Sequence, residues 1–265
     1  MSKVTLAEKL RKTTYVINVF QDMEHVSSGT AVAINSNGDL ITAAHVISGR
    51  LPVQEKDLQN LFIEARVEGK SFEPYGVIYC GLKIELEYFK EPITIDLALL
   101  KNLQPKNDRE YLRIDRSEPK AGYEVLMNGF SDEINLPFSF DKNIDLNHLD
   151  MHGLDEHKFR SAMEQWFRLS IVKSGMIGKS HSFNFNDGLL TGYTIYIDNG
   201  MHSGASGGPV INIKGELIGI ITQRALNSFS TKDNPGLIVP SGSIIAISPY
   251  PVLDFYKYEH KIDYK

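Results

Sequence analysis

Short runs of β-branched, aliphatic and aromatic residues recur from Thr13 to near residue 250, each closed by Gly, Asn, Asp, Ser or Pro. This recurrence constrains the fold more than any other feature. Such runs read as strands, and many short strands with turns between them close into sandwiches or barrels. The expected strands in the first half are Thr13–Phe20, Thr30–Asn35, Leu40–Ala44, Phe62–Val67, Val77–Cys80, Ile84–Phe89 and Leu97–Lys101. In the second half they are Tyr123–Gly129, Leu169–Lys173, Tyr193–Ile197, Val210–Ile213, Leu217–Thr222 and Leu237–Val239. Asn37-Gly38 between two apolar runs is a strong hairpin signal, and Lys214-Gly215 marks a second hairpin. Leu6–Lys12 reads as a short helical lead. Residues from about 143 to 167 break the strand pattern: they are charged, poor in β-branched residues, and carry Phe159, Met163 and Trp166 near helical spacing. They are expected to form a helical insertion in a β protein.

The 265 residues permit one large domain or two modest ones. With 28 Lys+Arg against 33 Asp+Glu the net charge is -5, and without a basic patch nucleic acid is not an expected partner. No window approaches the roughly 18 consecutive apolar residues of a membrane-spanning helix, so no membrane partner is expected. The first residues lack the apolar stretch of a secretory signal. The expectation is a cytoplasmic protein, or a mature fragment whose leader has been trimmed. A single cysteine, Cys80, rules out an internal disulfide and reads as a small core residue.

Three segments carry chemistry. Gly204-Ala-Ser206-Gly-Gly-Pro209 places a serine in a tight glycine-rich turn. Acyl transfer needs such a serine and backbone N–H groups aimed at the developing oxyanion. A glycine two residues before the serine tolerates the required backbone angles. Leu40-Ile-Thr-Ala-Ala-His45 ends an apolar strand with a histidine beside small residues, as a general base needs. Asp96 leads into the apolar run Leu97–Leu100. A buried carboxylate there needs a partner, and an imidazole N–H is a natural one. Each segment also has a bland reading: a loop between strands, a buried histidine, or an aspartate facing water. Together they are stronger, because the order His45, Asp96, Ser206 is one of the few chain orders of a catalytic triad.

The chain resembles the trypsin-like serine peptidases of the chymotrypsin fold from about Thr13 to Ile247. It looks nearest to the bacterial HtrA-type branch, on Gly29–Ile34, Ile41–Ile47, Asp96–Leu100, Gly204–Pro209 and Leu237–Ser241. The resemblance implies an all-β fold of two six-stranded antiparallel barrels. His45 and Asp96 would come from the first barrel, residues 13–117, and Ser206 from the second, residues 118–250. Residues 251–265 would form a tail. It also implies an oxyanion hole from the N–H groups of Gly204 and Ser206. The expected reaction is serine endopeptidase cleavage of a protein or peptide substrate through an acyl-enzyme. The alternatives are a catalytically silent protein-binding module on the same fold, and an esterase.

Three departures stand out. Ala205 lies where digestive members carry an acid that pairs with a newly freed N-terminus, so something else must order the loop, for which a partner or the substrate is a candidate. No PDZ domain is expected after the second barrel. The helical insertion, about 131–167, is a candidate contact for a regulatory partner. Its His148, His152 and His157 fit a charged solvated face better than a zinc site, and neither metal nor cofactor is expected. The substrate pocket is assigned to Gly200, Met201 and His202, to Ile221, Thr222 and Gln223, and to Leu237, Ile238 and Val239 on its far side. With no acid near Gly200, a small or medium apolar residue is expected before the scissile bond rather than Arg or Lys. His202 could instead read a polar or acidic side chain.

Overall fold

The computed structural model describes residues 1–85, 90, 92–131, 169–185, 190–229 and 237–260. The expected insertion, from residue 132 onward, and its three histidines lie outside them.

A helix, α1 (Lys3–Thr13), opens the chain, with Ser2 accepting the Thr5 N–H as its N-cap. Six strands follow: β1 (Thr14–Gln21), β2 (Glu24–Ala33), β3 (Leu40–Thr42), β4 (Leu61–Val67), β5 (Glu73–Ile84) and β6 (Ile93–Asn102). They close an antiparallel barrel in the order β1-β2-β3-β6-β5-β4. A second set comprises β7 (Glu124–Phe130), β8 (Ser170–Phe185), β9 (Leu190–Ile197), β10 (Pro209–Asn212), β11 (Leu217–Phe229) and β12 (Leu237–Ile247). It closes in the order β10-β11-β12-β9-β8-β7. The architecture is that of the chymotrypsin fold, all-β and two-barrelled. Among the described residues no helix is long and apolar enough to cross a membrane.

Side-chain alternation explains why the described residues form three apolar clusters and not two. On a strand, successive side chains face opposite ways. On β6, Ala98 and Leu100 enter the interior of the first barrel. Ile95, Leu97 and Leu99 face the other way, into a cluster shared with Leu126, Leu217 and Ile220 of the second barrel. The second barrel has its own interior around Met127, Ile195, Val210 and Ile244. Each fully buried Leu or Ile contributes about 1.5–3 kcal/mol by leaving water, so the shared cluster fixes one barrel against the other. Leu6 and Leu10 of α1 join that shared cluster. So does Val252 of a C-terminal helix, α3 (Tyr250–His260), where the sequence suggested only a tail. Arg116 ties α3 down through Asp254, at 2.6 and 2.7 Å.

The expected hairpin at Asn37-Gly38 is present. Asn35 Oδ1 accepts the N–H groups of Asn37 and Asp39, both at 3.1 Å, and Gly38 takes φ +83°. The preceding hairpin had no such signal. Gln21 pairs with Glu24, and the two residues between them, Asp22 and Met23, both have positive φ without being glycine. Asn60 supports the turn from outside by donating to Asp22 Oδ1 at 2.8 Å.

Candidate active site

His45 is not at the end of a strand, as its sequence context suggests. β3 stops at Thr42, and His45 is the second residue of a one-turn helix, α2 (Ala44–Ser48). The first N–H groups of any helix lack intrahelical acceptors, and Ala43, at the N-cap, supplies no side-chain acceptor. Asp96 fills that need. Its Oδ1 accepts the His45 backbone N–H at 2.9 Å, and its Oδ2 meets His45 Nδ1 at 2.7 Å. Gly49 then ends the helix in the left-handed region at φ +70°. Asp96 lies inside β6 rather than at its start, between Ile95 and Leu97, and is 2% exposed. The imidazole is 30% exposed, and with Nδ1 on the carboxylate its second nitrogen, Nε2, lies on the opposite side of the ring.

Ser206 is the second residue of a turn in which Gly208 N–H donates to Ala205 O at 2.9 Å. Gly207, in third place, has φ +86°, the requirement of a type II turn. The preceding turn repeats the pattern. Ala205 N–H donates to His202 O at 3.2 Å, and Gly204 has φ +85°. From Gly204 to Ile211 every residue except Ser206 is buried. The glycines are forced by contact as well as by φ. A Cβ on Gly207 would lie 1.9 Å from Thr30 O and 2.1 Å from Thr42 Oγ1. One on Gly208 would lie 2.3 Å from Asn128 O.

Gly29 on β2 brings the histidine helix and the serine turn together. A Cβ there would lie 2.7 Å from Val46, next to His45 on α2, and 3.2 Å from Ser206 O. The next residue, Thr30, donates its N–H to Ser206 O at 2.9 Å and its hydroxyl to Gly204 O at 2.7 Å. Thus the first barrel carries His45 and Asp96, the second carries Ser206, and β2 touches both. Neither Gly29 nor Thr30 was assigned a role from sequence, although both lie in the Gly29–Ile34 motif.

The pocket residues spread over several environments. Met201 and Ile221 are buried in the second barrel's cluster with Ala205. Thr222 is buried, Gln223 is exposed, and His202 is half-buried. A Cβ on Gly200 would meet the backbone of Gly242 at 3.0 Å, a neighbour that carried no readable signal. Leu237, Ile238 and Val239 lie farther along β12, opposite Phe229, Ser228 and Asn227. Lys173 on β8 donates from Nζ to Gly200 O at 2.7 Å. Cys80 borders the site from behind, its thiol pointing at Ala44 O at 3.6 Å. Burial, with the Asp96 and Asp57 carboxylates, pushes that thiol up to about 12, which makes it a poor nucleophile.

Residues 29–220 match the trypsin-like peptidase domain family, well over half of the chain. Among curated protein sequences no relative matches it. Similar solved structures include the Rv3671c protease of M. tuberculosis in an inactive form, with TM-score 0.54 and 14% identity over 94% of this chain and 89% of that one. The active form gives 0.55 and 14% over 94% and 81%. A serine-to-alanine mutant of that protease gives 0.55 and 13% over 99% and 94%. At these identities the likeness shows the shared fold alone. The family match shows more: the chain belongs to the trypsin-like peptidases and is a serine-type peptidase.

Proposed function

We propose that the chain is a serine endopeptidase in which Ser206 is the nucleophile, His45 the general base and then acid, and Asp96 its orienting carboxylate. The observation that carries this reading is the paired contact of Asp96 with the backbone and the ring of His45. A carboxylate on Nδ1 leaves Nε2 as the basic nitrogen and stabilises the imidazolium. Ser206 Oγ would attack the peptide carbonyl while its proton passes to His45 Nε2. The tetrahedral oxyanion would be met by the N–H groups of Gly204 and Ser206. Collapse would release the amine, protonated by His45, and leave an acyl-serine. Water, activated by the same imidazole, would then free the acid. No metal or cofactor takes part in this scheme.

The pocket reading favours a small or medium apolar residue before the scissile bond over Arg or Lys. No acid stands at Gly200, and the Lys173 ammonium sits on its carbonyl, so a second cation would be repelled. The chemistry requires no oxidising compartment and fits a cytoplasmic enzyme.

The test is labelling with a fluorophosphonate, which phosphonylates activated serines, beside Ser206→Ala. Labelling that depends on Ser206 is expected, and new N-termini in a treated extract would report the cleavage preference. No Ser206-dependent labelling, with or without extract, would leave a silent binding module. Labelling without new N-termini would favour an esterase.

A further inference from the structure

Ala205 brings no charge to the loop before Ser206, so the loop must be held by other means. Part of the answer is apolar: Met201 and Ala205 are both buried in the second barrel's cluster. Gly129 lets the loop approach closely, since a Cβ there would lie 2.6 Å from Ala205 Cβ. Apolar packing alone does not set peptide orientation, and Gly204, as a glycine, is not held by side-chain sterics.

Peptide orientation is set by two donors from outside the loop. Thr30 donates its hydroxyl to Gly204 O at 2.7 Å and its N–H to Ser206 O at 2.9 Å. The hydroxyl is itself fixed. It accepts the Phe130 N–H at 3.0 Å, which directs its single proton to Gly204. The Thr30 carbonyl accepts the Thr42 hydroxyl at 2.6 Å. Thr30 is fully buried, so water cannot replace these bonds. At the other end of the loop, Lys173 Nζ donates to Gly200 O at 2.7 Å. The N–H groups of Gly204 and Ser206 each lie one peptide before a pinned carbonyl.

We propose that Thr30 and Lys173 are positioning residues that pin the Gly200–Ser206 loop, one from each barrel, so that the chain orders its own oxyanion-binding turns without a partner. The catalytic consequence rests on the peptidase reading above; the ordering of the loop does not.

Two measurements on the full chain separate them: amide hydrogen exchange across residues 200–207, and the rate of Ser206 phosphonylation. Thr30→Val removes the hydroxyl at nearly constant shape, Thr30→Ser keeps it, and Lys173→Met and Lys173→Arg do the same for the ammonium. Thr30→Val should raise loop exchange and slow phosphonylation, each by about tenfold or more, the worth of one buried hydrogen bond. Thr30→Ser and Lys173→Arg should stay within about threefold of the parent, since the donors remain. Lys173→Met should raise loop exchange. Parent-like exchange and labelling in Thr30→Val would overturn the proposal, as would a Thr30→Ser loss equal to that of Thr30→Val. If Thr30→Val does not fold, Lys173→Met decides, and unchanged exchange there is fatal. A parent chain with a protected loop but no labelling would sink the peptidase reading and leave the pinning intact. A loop protected only after extract is added would sink the pinning.

Discussion

Asp96 holds His45 twice, by its backbone N–H at 2.9 Å and by its ring at 2.7 Å. One carboxylate therefore caps the helix that carries the histidine and orients the imidazole. Asp96→Asn keeps an oxygen for the backbone N–H but turns an amide N–H towards Nδ1, which favours the wrong tautomer. Phosphonylation of Ser206 should fall about 10³- to 10⁴-fold, as when the acid of a triad is lost, while the thermal unfolding midpoint changes little. A labelling rate within about tenfold of the parent would argue against the role assigned to Asp96.

Gly207 has no room for a side chain. A Cβ would lie 1.9 Å from a backbone oxygen, at a backbone angle of φ +86°. Gly207→Ala should destabilise the fold by on the order of 3 kcal/mol, the sum of backbone strain and overpacking. It should also slow labelling more than the stability loss alone explains, because the displaced residue follows Ser206. Denaturant titration with labelling at low denaturant separates the two effects.

Thr42 is fully buried, and its hydroxyl bonds Thr30 O at 2.6 Å. Thr42→Val keeps the shape and removes the bond. The expected cost is about 1–2 kcal/mol of unfolding free energy, readable as a lower denaturant midpoint at unchanged slope.

Cys80 should resist alkylation. Its thiol is pushed up to about 12 from an ordinary 9.0, so near neutral pH the reactive thiolate is roughly a thousandfold scarcer than in an unfolded chain. Iodoacetamide should react slowly at pH 7.5 and speed up on denaturation. In the folded protein the rate should keep rising past pH 9 instead of levelling there. Ionisation is penalised only in the fold, so this group's contribution to stability declines as pH rises above 9. Rapid alkylation of the native protein at neutral pH would contradict the buried environment.

The all-β character was legible because strand periodicity and turn residues are local, whereas the division into two six-stranded barrels came from the family resemblance. The Asn37-Gly38 hairpin follows from φ preference alone. The β1–β2 hairpin was not legible, because Asp22 and Met23 take positive φ with support from Asn60, a contact 38 residues away. The short helix under His45 was missed for a similar reason. Its first turn depends on Asp96, 51 residues later in the chain.

The type of chemistry is written in local sequence: a serine in a glycine-rich turn, a histidine beside small residues, and an aspartate in an apolar run, in that family's order. How these parts are held follows from contacts between segments far apart in the chain. Local chemistry names a nucleophile, a base and an acid, but hydrogen bonds between distant segments set their orientation. Thr30 is one letter in a β-strand until packing of the two barrels brings its hydroxyl to Gly204, 174 residues away. The pairing of Asp96 with both ends of His45 likewise exists only once β6 and α2 share one barrel.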